Sequence, residues 1–235
     1  MPININNSIF KEKYIILIMS LLACILILAI EGYIEPEYVL KSAIKLVVFF
    51  ISILGYMKIC GAYKILDQFK CMKFRDFKAI LGLSIGVYFF IISLFFLLKD
   101  YIDLDVIRNN LLAKENITAT NFVYVSLYIS FVNSFLEELF FRGFMFLSLA
   151  KSGSRRFAYS ISSLAFSLYH VAIISAWFNI WIFILIIVGL MFVGYIFNYI
   201  TEKLDSFLAS WIVHIFANLA INTIGFMMLG IINII

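Results

Sequence analysis

Residues Asn179 to Ile200 read NIWIFILIIVGLMFVGYIFNYI, 22 consecutive residues without one charged side chain. A helix that crosses the hydrocarbon core of a bilayer needs roughly 20 predominantly apolar residues. The stretch therefore predicts a transmembrane helix, and it places the whole chain among membrane proteins.

Six further apolar runs have the same character, so the predicted fold is an all-α, polytopic membrane helix bundle with seven or eight transmembrane helices. The other predicted helices are Tyr14–Ile30, Val39–Tyr63, Ala79–Leu98, Asn121–Ala150, Phe157–Trp177 and a last run from Phe207 to Ile235. The last run is long enough for one tilted helix, or for a helix and a short eighth segment that breaks near Gly225 or Gly230.

Composition excludes several other classes of protein. Of the 235 residues, 64% are hydrophobic and only 14% are charged, whereas soluble domains carry about 25% charged residues. The net charge of +4 is too small to suggest a nucleic-acid partner. The apolar composition makes a lipid bilayer the expected surroundings. Three cysteines, Cys24, Cys60 and Cys71, imply neither a disulfide framework nor a zinc-thiolate site.

The charges of the loops alternate along the chain. The segments before the first run, between the second and third runs and after the fourth run are basic, and the two segments between them are acidic. Cytoplasmic loops of membrane proteins are enriched in Lys and Arg. We therefore expect the N-terminus in the cytoplasm. Lys45 and Lys58, near the two ends of the second run, are expected to extend to opposite interfaces and receive no function.

Residues 136–143 read LEELFFRG and place three charges inside the fourth apolar run. One charged residue at the centre of a membrane helix costs about 2.5–3.5 kcal/mol on insertion scales. Such residues usually face the interior of a bundle or a hydrated cavity and mark a functional site.

Helical spacing separates the roles of the three charges. Glu138 and Arg142 are four residues apart and share a helix face, so they can form an ion pair. Glu137 lies about 100° around the helix, on the stripe of Asn133. Because it is less fully neutralised, we assign Glu137 as a general base and Glu138 as its structural companion. The alternative is a purely structural ion cluster of all three.

The two histidines of the chain, His170 and His214, both fall inside predicted transmembrane helices. Asn218 is four residues after His214 and lies on the same helix face. Carboxylates, imidazoles and an amide that converge in a cavity of low dielectric are suited to activating water and stabilising an oxyanion. No serine is predicted to stand in the strand-to-helix turn of a G-x-S-x-G nucleophile motif. A covalent route is therefore disfavoured, and the expected reaction is amide hydrolysis by water.

Three motifs resemble the CPBP family, the CAAX-processing and bacteriocin-processing intramembrane proteases also called Abi proteins. They are EExxxR at 137–142, FxxxH at 166–170 and HxxxN at 214–218, and the resemblance covers about residues 120 to 222. It implies an eight-helix membrane endopeptidase with a cytoplasm-facing cavity, in which Glu137 and His170 activate water while His214 and Asn218 support the oxyanion. The chain is then one membrane domain, 1–235, whose helices in 1–120 lack motifs and whose catalytic core is 121–222.

The family is often described as metal-dependent, which leaves the cofactor open. His170, His214 and Glu137 could hold Zn²⁺ while the other carboxylate acts as base. No HExxH motif is present, however, and pairing with Arg142 would remove Glu138 as a candidate ligand. We prefer a mechanism that needs no cofactor, with Zn²⁺ as the alternative.

The expected partner is a membrane-associated peptide or protein substrate. The resemblance implies either prenylated CAAX proteins or bacterial peptide precursors, and the abundance of Ile, Lys, Asn and Phe favours a bacterial cell membrane. Two other functions stay open: a catalytically inactive immunity or peptide-binding protein that uses the same pocket, and a small transporter that relays protons.

Overall fold

The computed structural model describes residues 5–60, 69, 72–152, 154–175 and 177–232, and within these residues every regular element is helical. The predicted all-α class is therefore confirmed. Lys64, Lys70 and Cys71, which the sequence places in a basic loop, lie outside the described residues.

The helices follow the predicted runs, with different ends. They are α1 (Ile5–Ala29), α2 (Tyr38–Cys60), α3 (Phe74–Leu98), α4 (Leu104–Ala113), α5 (Phe122–Leu127), α6 (Ser134–Glu138), α7 (Leu147–Lys151), α8 (Arg155–Tyr169), α9 (Val171–Ile174), α10 (Ile180–Leu204) and α11 (Phe207–Met228). A π-helical turn, Ile30–Ile34, extends α1. Up to residue 232, where the described residues end, the last run forms one helix, which continues through Gly225 and ends before Gly230.

Helix α4 lies in a segment that sequence analysis assigned to an acidic loop. The Asp103 side chain accepts a hydrogen bond from the Val106 N–H at 3.1 Å and caps the helix. Ile107 and Leu111 are buried in a small cluster with Phe122. The helix is short and amphipathic, so a search for long apolar runs does not find it.

Helices α5, α6 and α7 form one continuous rod over residues 122–151, which we call the site helix. Two π-helical stretches, Tyr128–Asn133 and Leu139–Phe146, join its α-helical parts. π-Helical turns are uncommon and occur often at functional sites. The predicted helix Asn121–Ala150 is therefore present, but not as a uniform α-helix.

The predicted helix Phe157–Trp177 is not continuous: α8 ends at Tyr169, and the short helix α9, Val171–Ile174, follows after His170. The His170 backbone N–H bonds the Ser167 carbonyl at 3.1 Å. Its ring Nδ1 lies 2.7 Å from the Phe166 carbonyl, the acceptor that the backbone N–H of an uninterrupted α-helix would use. The imidazole thus replaces the backbone donor and helps to end the helix, so His170 stands at a helix terminus.

In the part of the chain that the structure describes, five helices are long and apolar enough to cross a membrane: Lys11–Ile34, Tyr38–Cys60, Phe74–Tyr101, Ile180–Leu204 and Phe207–Met228. Large apolar side chains on α10 are exposed, among them Trp181 (78%) and Phe192 (67%), as expected of surfaces in contact with lipid. The structure therefore supports an integral membrane protein but does not confirm seven or eight spans.

The largest buried cluster joins α1, α2, the site helix and α8. Phe49 of α2 stacks on Phe140 of the site helix, with ring centroids 4.0 Å apart. On the other side, α3 packs along α11, and α10 packs against α8 and α11. Gly194 of α10 permits close approach to α8, since a Cβ at this position would lie 3.0 Å from the Ser163 Cα. The site helix is therefore enclosed by neighbouring helices.

Candidate active site

Both glutamates of the EExxxR motif lie on α6, between the two π-helical stretches, and both are buried. His170 reaches Glu137 from the end of α8, and His214 reaches both glutamates from the middle of α11. With Arg142, which pairs with Glu138, the structure thus brings five of the six predicted site residues together from three separate helices.

Glu138 is held by three partners. Its Oε1 lies 3.0 Å from Nη1 of Arg142 and 2.9 Å from Nδ1 of His214. The Ser210 hydroxyl donates a 2.6 Å hydrogen bond to its Oε2. Because both carboxylate oxygens are engaged, Glu138 is poorly placed to take a proton from water.

Arg142 is completely buried, and its guanidinium lies over two aromatic rings. The Cζ atom is 4.1 Å from the ring centroid of Phe166 and 5.0 Å from that of Phe197. Among the described residues, none of its three side-chain nitrogens has a hydrogen-bond acceptor, although Nη1 lies 3.0 Å from Oε1 of Glu138. The ion pair with Glu138 and the cation–π contacts therefore supply its stabilisation.

The two oxygens of Glu137 have different surroundings. Oε1 accepts hydrogen bonds from Nδ2 of Asn133 at 2.7 Å and from the Tyr169 hydroxyl at 3.3 Å. Oε2 faces the two imidazoles, 3.9 Å from Nε2 of His170 and 3.8 Å from Nε2 of His214. The carboxylate is oriented through Oε1, and Oε2 is left toward the histidines.

The neighbours of the two Nδ1 atoms define the tautomers. Nδ1 of His170 faces the Phe166 carbonyl, which only accepts hydrogen bonds, so it carries a proton. Nδ1 of His214 faces the Glu138 carboxylate and carries a proton for the same reason. In the neutral form of each ring, Nε2 therefore presents a lone pair toward Glu137.

Asn218 lies one turn beyond His214 and is engaged elsewhere. Its Nδ2 donates a 3.1 Å hydrogen bond to the Ile129 carbonyl in the first π-helical stretch. Asn222 makes similar bonds to the Ser126 carbonyl and the Ser130 hydroxyl, at 3.1 and 3.0 Å. Both amides thus tie α11 to the site helix, and only one of the two Nδ2 hydrogens of Asn218 is used in this way.

Sequence reasoning missed three residues that contact the site. Ser210 stands four residues before His214, so helical spacing could have placed it on the same face. Tyr169 stands next to His170, but only the end of α8 brings its hydroxyl to Glu137. Lys45 was expected to extend to an interface, yet it is buried beside Glu31, with its Nζ 5.0 Å from the Tyr169 ring centroid.

The three groups considered for zinc do not have the geometry of a zinc site. Ligand atoms of a tetrahedral Zn²⁺ with bonds of about 2.0–2.1 Å lie about 3.4 Å apart. The separations of Oε2 from the two Nε2 atoms, 3.8 and 3.9 Å, are longer. Within the described part of the chain, no three His, Cys, Asp or Glu side chains form a group that could hold a metal ion.

Comparison with known proteins supports the resemblance carried by the three motifs. Residues 119–220 match the model of the Rce1-like family, which is described as type II CAAX prenyl endopeptidase Rce1-like. No curated protein and no solved structure matches the chain significantly. The family match supports a membrane protease of the CAAX type. The segment that holds the buried glutamates, both histidines and Asn218 is thus similar to the Rce1-like endopeptidases, and the predicted resemblance to the CPBP intramembrane proteases is confirmed there.

Proposed function

We propose that the protein is an intramembrane endopeptidase that hydrolyses a peptide bond of a membrane-associated peptide or protein. The observation that carries this proposal is the asymmetry of Glu137, because Oε1 is held by two donors while Oε2 faces two imidazole nitrogens. A carboxylate fixed in this way is suited to act as a general base.

The spacing around Oε2 suits one water molecule. Oε2 of Glu137 lies 3.8–3.9 Å from each Nε2 atom. A water oxygen placed about 2.8 Å from Oε2 and from one Nε2, which are ordinary hydrogen-bond lengths, makes an Oε2–water–Nε2 angle of about 90°. Such a water can donate to Glu137 and to one neutral imidazole at the same time. In our proposal it is the nucleophile, and Glu137 and His170 orient it.

Hydrolysis then proceeds in two proton transfers. Glu137 takes a proton from the water as its oxygen attacks the peptide carbonyl, which gives a tetrahedral oxyanion. The protonated Glu137 then donates this proton to the leaving nitrogen as the carbon–nitrogen bond breaks. Glu137 returns to its carboxylate form, and the products are a carboxylic acid and an amine.

The oxyanion is assigned to His214 and Asn218. Because Nδ1 of His214 already donates to Glu138, Nε2 can donate to an oxyanion only when the ring carries two protons. The Glu138 carboxylate stabilises that charged ring, while Arg142 balances the charge of Glu138. Asn218 supplies the second donor through the Nδ2 hydrogen that does not bond Ile129.

We further propose that the site helix and α8 lie within the bilayer together with the five long apolar helices, which gives seven crossings. The site helix carries three charges in its interior and is interrupted by two π-helical stretches, and α8 has only 15 residues, so neither is a long, uniformly apolar helix. The N-terminus is assigned to the cytoplasm from the charges of the loops.

Glu137→Gln tests the proposal. In proteoliposomes with a farnesylated peptide that ends in a CAAX sequence, we expect kcat to fall by about 10²–10⁴, as for the loss of a general base. Glu202→Gln is the matched control, because Glu202 lies outside the site and pairs with Arg155 at 2.6 Å. It should cleave like the wild type.

Cleavage by Glu137→Gln at the wild-type rate would overturn the proposal. If neither the wild type nor Glu137→Gln cleaves the peptide, but both bind it, the protein is the peptide-binding protein of the alternative. Proton-coupled flux in the same proteoliposomes would instead support a transporter.

Removal of metal ions tests the cofactor. We predict that protein dialysed against a strong chelator retains its rate of cleavage, since the geometry around Glu137 does not fit a zinc site. The measurement is the rate before dialysis, after dialysis and after addition of Zn²⁺. Loss of cleavage that added Zn²⁺ restores would contradict the prediction.

A further inference from the structure

We propose that Lys45 of α2, with Glu31 as its counter-charge, is a positioning residue for Glu137 and acts through Tyr169. This inference rests on the proposed function, and it adds two residues that lie outside the segment 119–220 covered by the family match. The N-terminal helices would then complete the catalytic site as well as enclose it.

The contacts form a chain from α1 to the catalytic carboxylate. Nζ of Lys45 lies 3.7 Å from Oε1 of Glu31 and 5.0 Å from the ring centroid of Tyr169. The Tyr169 hydroxyl donates to Oε1 of Glu137. Lys45, Glu31 and Tyr169 are all buried, so little solvent screens these charges.

Burial of the Glu31 carboxylate at this position costs free energy. Both of its carboxylate oxygens are buried, and neither has a hydrogen-bond partner within the described part of the chain. At 3.7 Å, Lys45 supplies charge but no hydrogen bond. A buried ion pair can often be replaced by neutral residues without loss of stability. Stability alone therefore does not explain the pair.

The position of the Lys45 ammonium over the face of the Tyr169 ring indicates what the Lys45–Glu31 pair can contribute to the site. It attracts the electrons of the ring, so the hydroxyl group becomes a stronger hydrogen-bond donor to Oε1 of Glu137. Packing fixes the ring itself, since Tyr169 contacts Phe49 and Phe141 at centroid distances of 5.8 and 5.5 Å. Lys45 then helps to hold Oε1, which leaves Oε2 to the water.

The double variant Glu31→Gln/Lys45→Met separates positioning from folding. Because it removes both charges together, no buried charge is left unpaired, and we expect the melting temperature in detergent to stay near that of the wild type. We expect kcat for the farnesylated CAAX peptide to fall about tenfold with KM unchanged, the size of a strong cation–π contact. Lys58→Met, at an exposed position of the same helix, is the control and should change neither value.

A second measurement tests the route through Tyr169. In a Tyr169→Phe background the double variant should lower kcat by much less than tenfold, because the hydroxyl through which Lys45 acts is gone. A full tenfold loss in that background would overturn the route, and an unchanged kcat in the double variant would overturn the role of Lys45. If Glu137→Gln is inactive in the same assay, either result leaves the proposed function intact.

Discussion

Two adjacent glutamates of the site helix have the same chemistry and different partners. Glu138 is engaged on both oxygens by Arg142, His214 and Ser210, whereas Glu137 keeps one oxygen toward the imidazoles. Their partners therefore distinguish the proposed base from the residue that supports it.

Arg142→Met is expected to be strongly destabilising. It leaves Glu138 charged and buried beside an apolar side chain, and breaking a buried pair in this way costs about 3–5 kcal/mol. The measurement is thermal unfolding in detergent. Arg142→Lys should recover only part of the loss, because an ammonium keeps the positive charge beside Glu138 but cannot replace the guanidinium over the Phe166 ring.

Arg155→Met is the matched control. Arg155 is exposed and pairs with Glu202 near the start of α8, and exposed ion pairs contribute little to stability. An equal fall in the melting temperature of the two methionine variants would show that burial of Arg142 is not the cause.

Single residues were predictable from the sequence where their partners lie one helical turn away. The pairing of Glu138 with Arg142 follows from a spacing of four residues, and the structure contains it. The burial of Lys45 depends on α1 and α8, which are distant in sequence. Spacing within α2 therefore could not distinguish this residue from the exposed Lys58.

At the scale of the element, the site helix combines widened turns with side-chain bonds from its neighbours. The carbonyl of Ile129 in the first π-helical stretch accepts from Asn218. The carbonyl of Phe141 in the second accepts a 3.0 Å hydrogen bond from the Ser162 hydroxyl. Apolar runs predict where this helix begins and ends, but π-helical turns depend on such contacts between helices and were not predictable.

Asn218 and Asn222 allow anchoring and catalysis to be separated. Asn218→Ala should lower kcat by about 10²–10³, as expected for the loss of an oxyanion donor. Asn222→Ala removes the bonds to Ser126 and Ser130 only. It should cost about 1 kcal/mol of stability and leave kcat unchanged.

The measurements are kcat and the melting temperature of both variants in the same detergent. Equal effects of the two substitutions on kcat would show that Asn218 acts only as an anchor between α11 and the site helix.

At the scale of the whole molecule, the helix ends divide into two faces. At one face the start of α1 meets the ends of other helices, with Nζ of Lys13 4.3 Å from the Phe157 ring centroid and the Tyr56 hydroxyl bonded to Glu12 at 2.6 Å. At the other face Lys41 pairs with Glu115 at 2.6 Å. The segment before α1 and the start of α8 therefore lie at one face, and the segments that hold Lys41 and Glu115 lie at the other.

Cysteine labelling tests which face is cytoplasmic. In a background with Cys24, Cys60 and Cys71 replaced by Ala, Thr120→Cys should react with an impermeant maleimide on intact cells, and Ser152→Cys only after permeabilisation. The reason is that the face with Lys13 and Phe157 carries the basic segment before α1 and the basic start of α8. The reverse pattern of labelling would invert the assigned orientation.

The two π-helical stretches also determine how the site helix can tolerate insertions and deletions. Each such turn accommodates one residue more than an α-helical turn, and one residue corresponds to about 100° of rotation. Deleting one residue from Tyr128–Asn133 would return that turn to α-helical geometry and keep the phase of all that follows. Deleting one residue between Ser134 and Glu138 would instead turn the acidic pair away from both imidazoles. Relatives of this chain should therefore gain or lose single residues within the widened turns and keep the short segment between them at constant length.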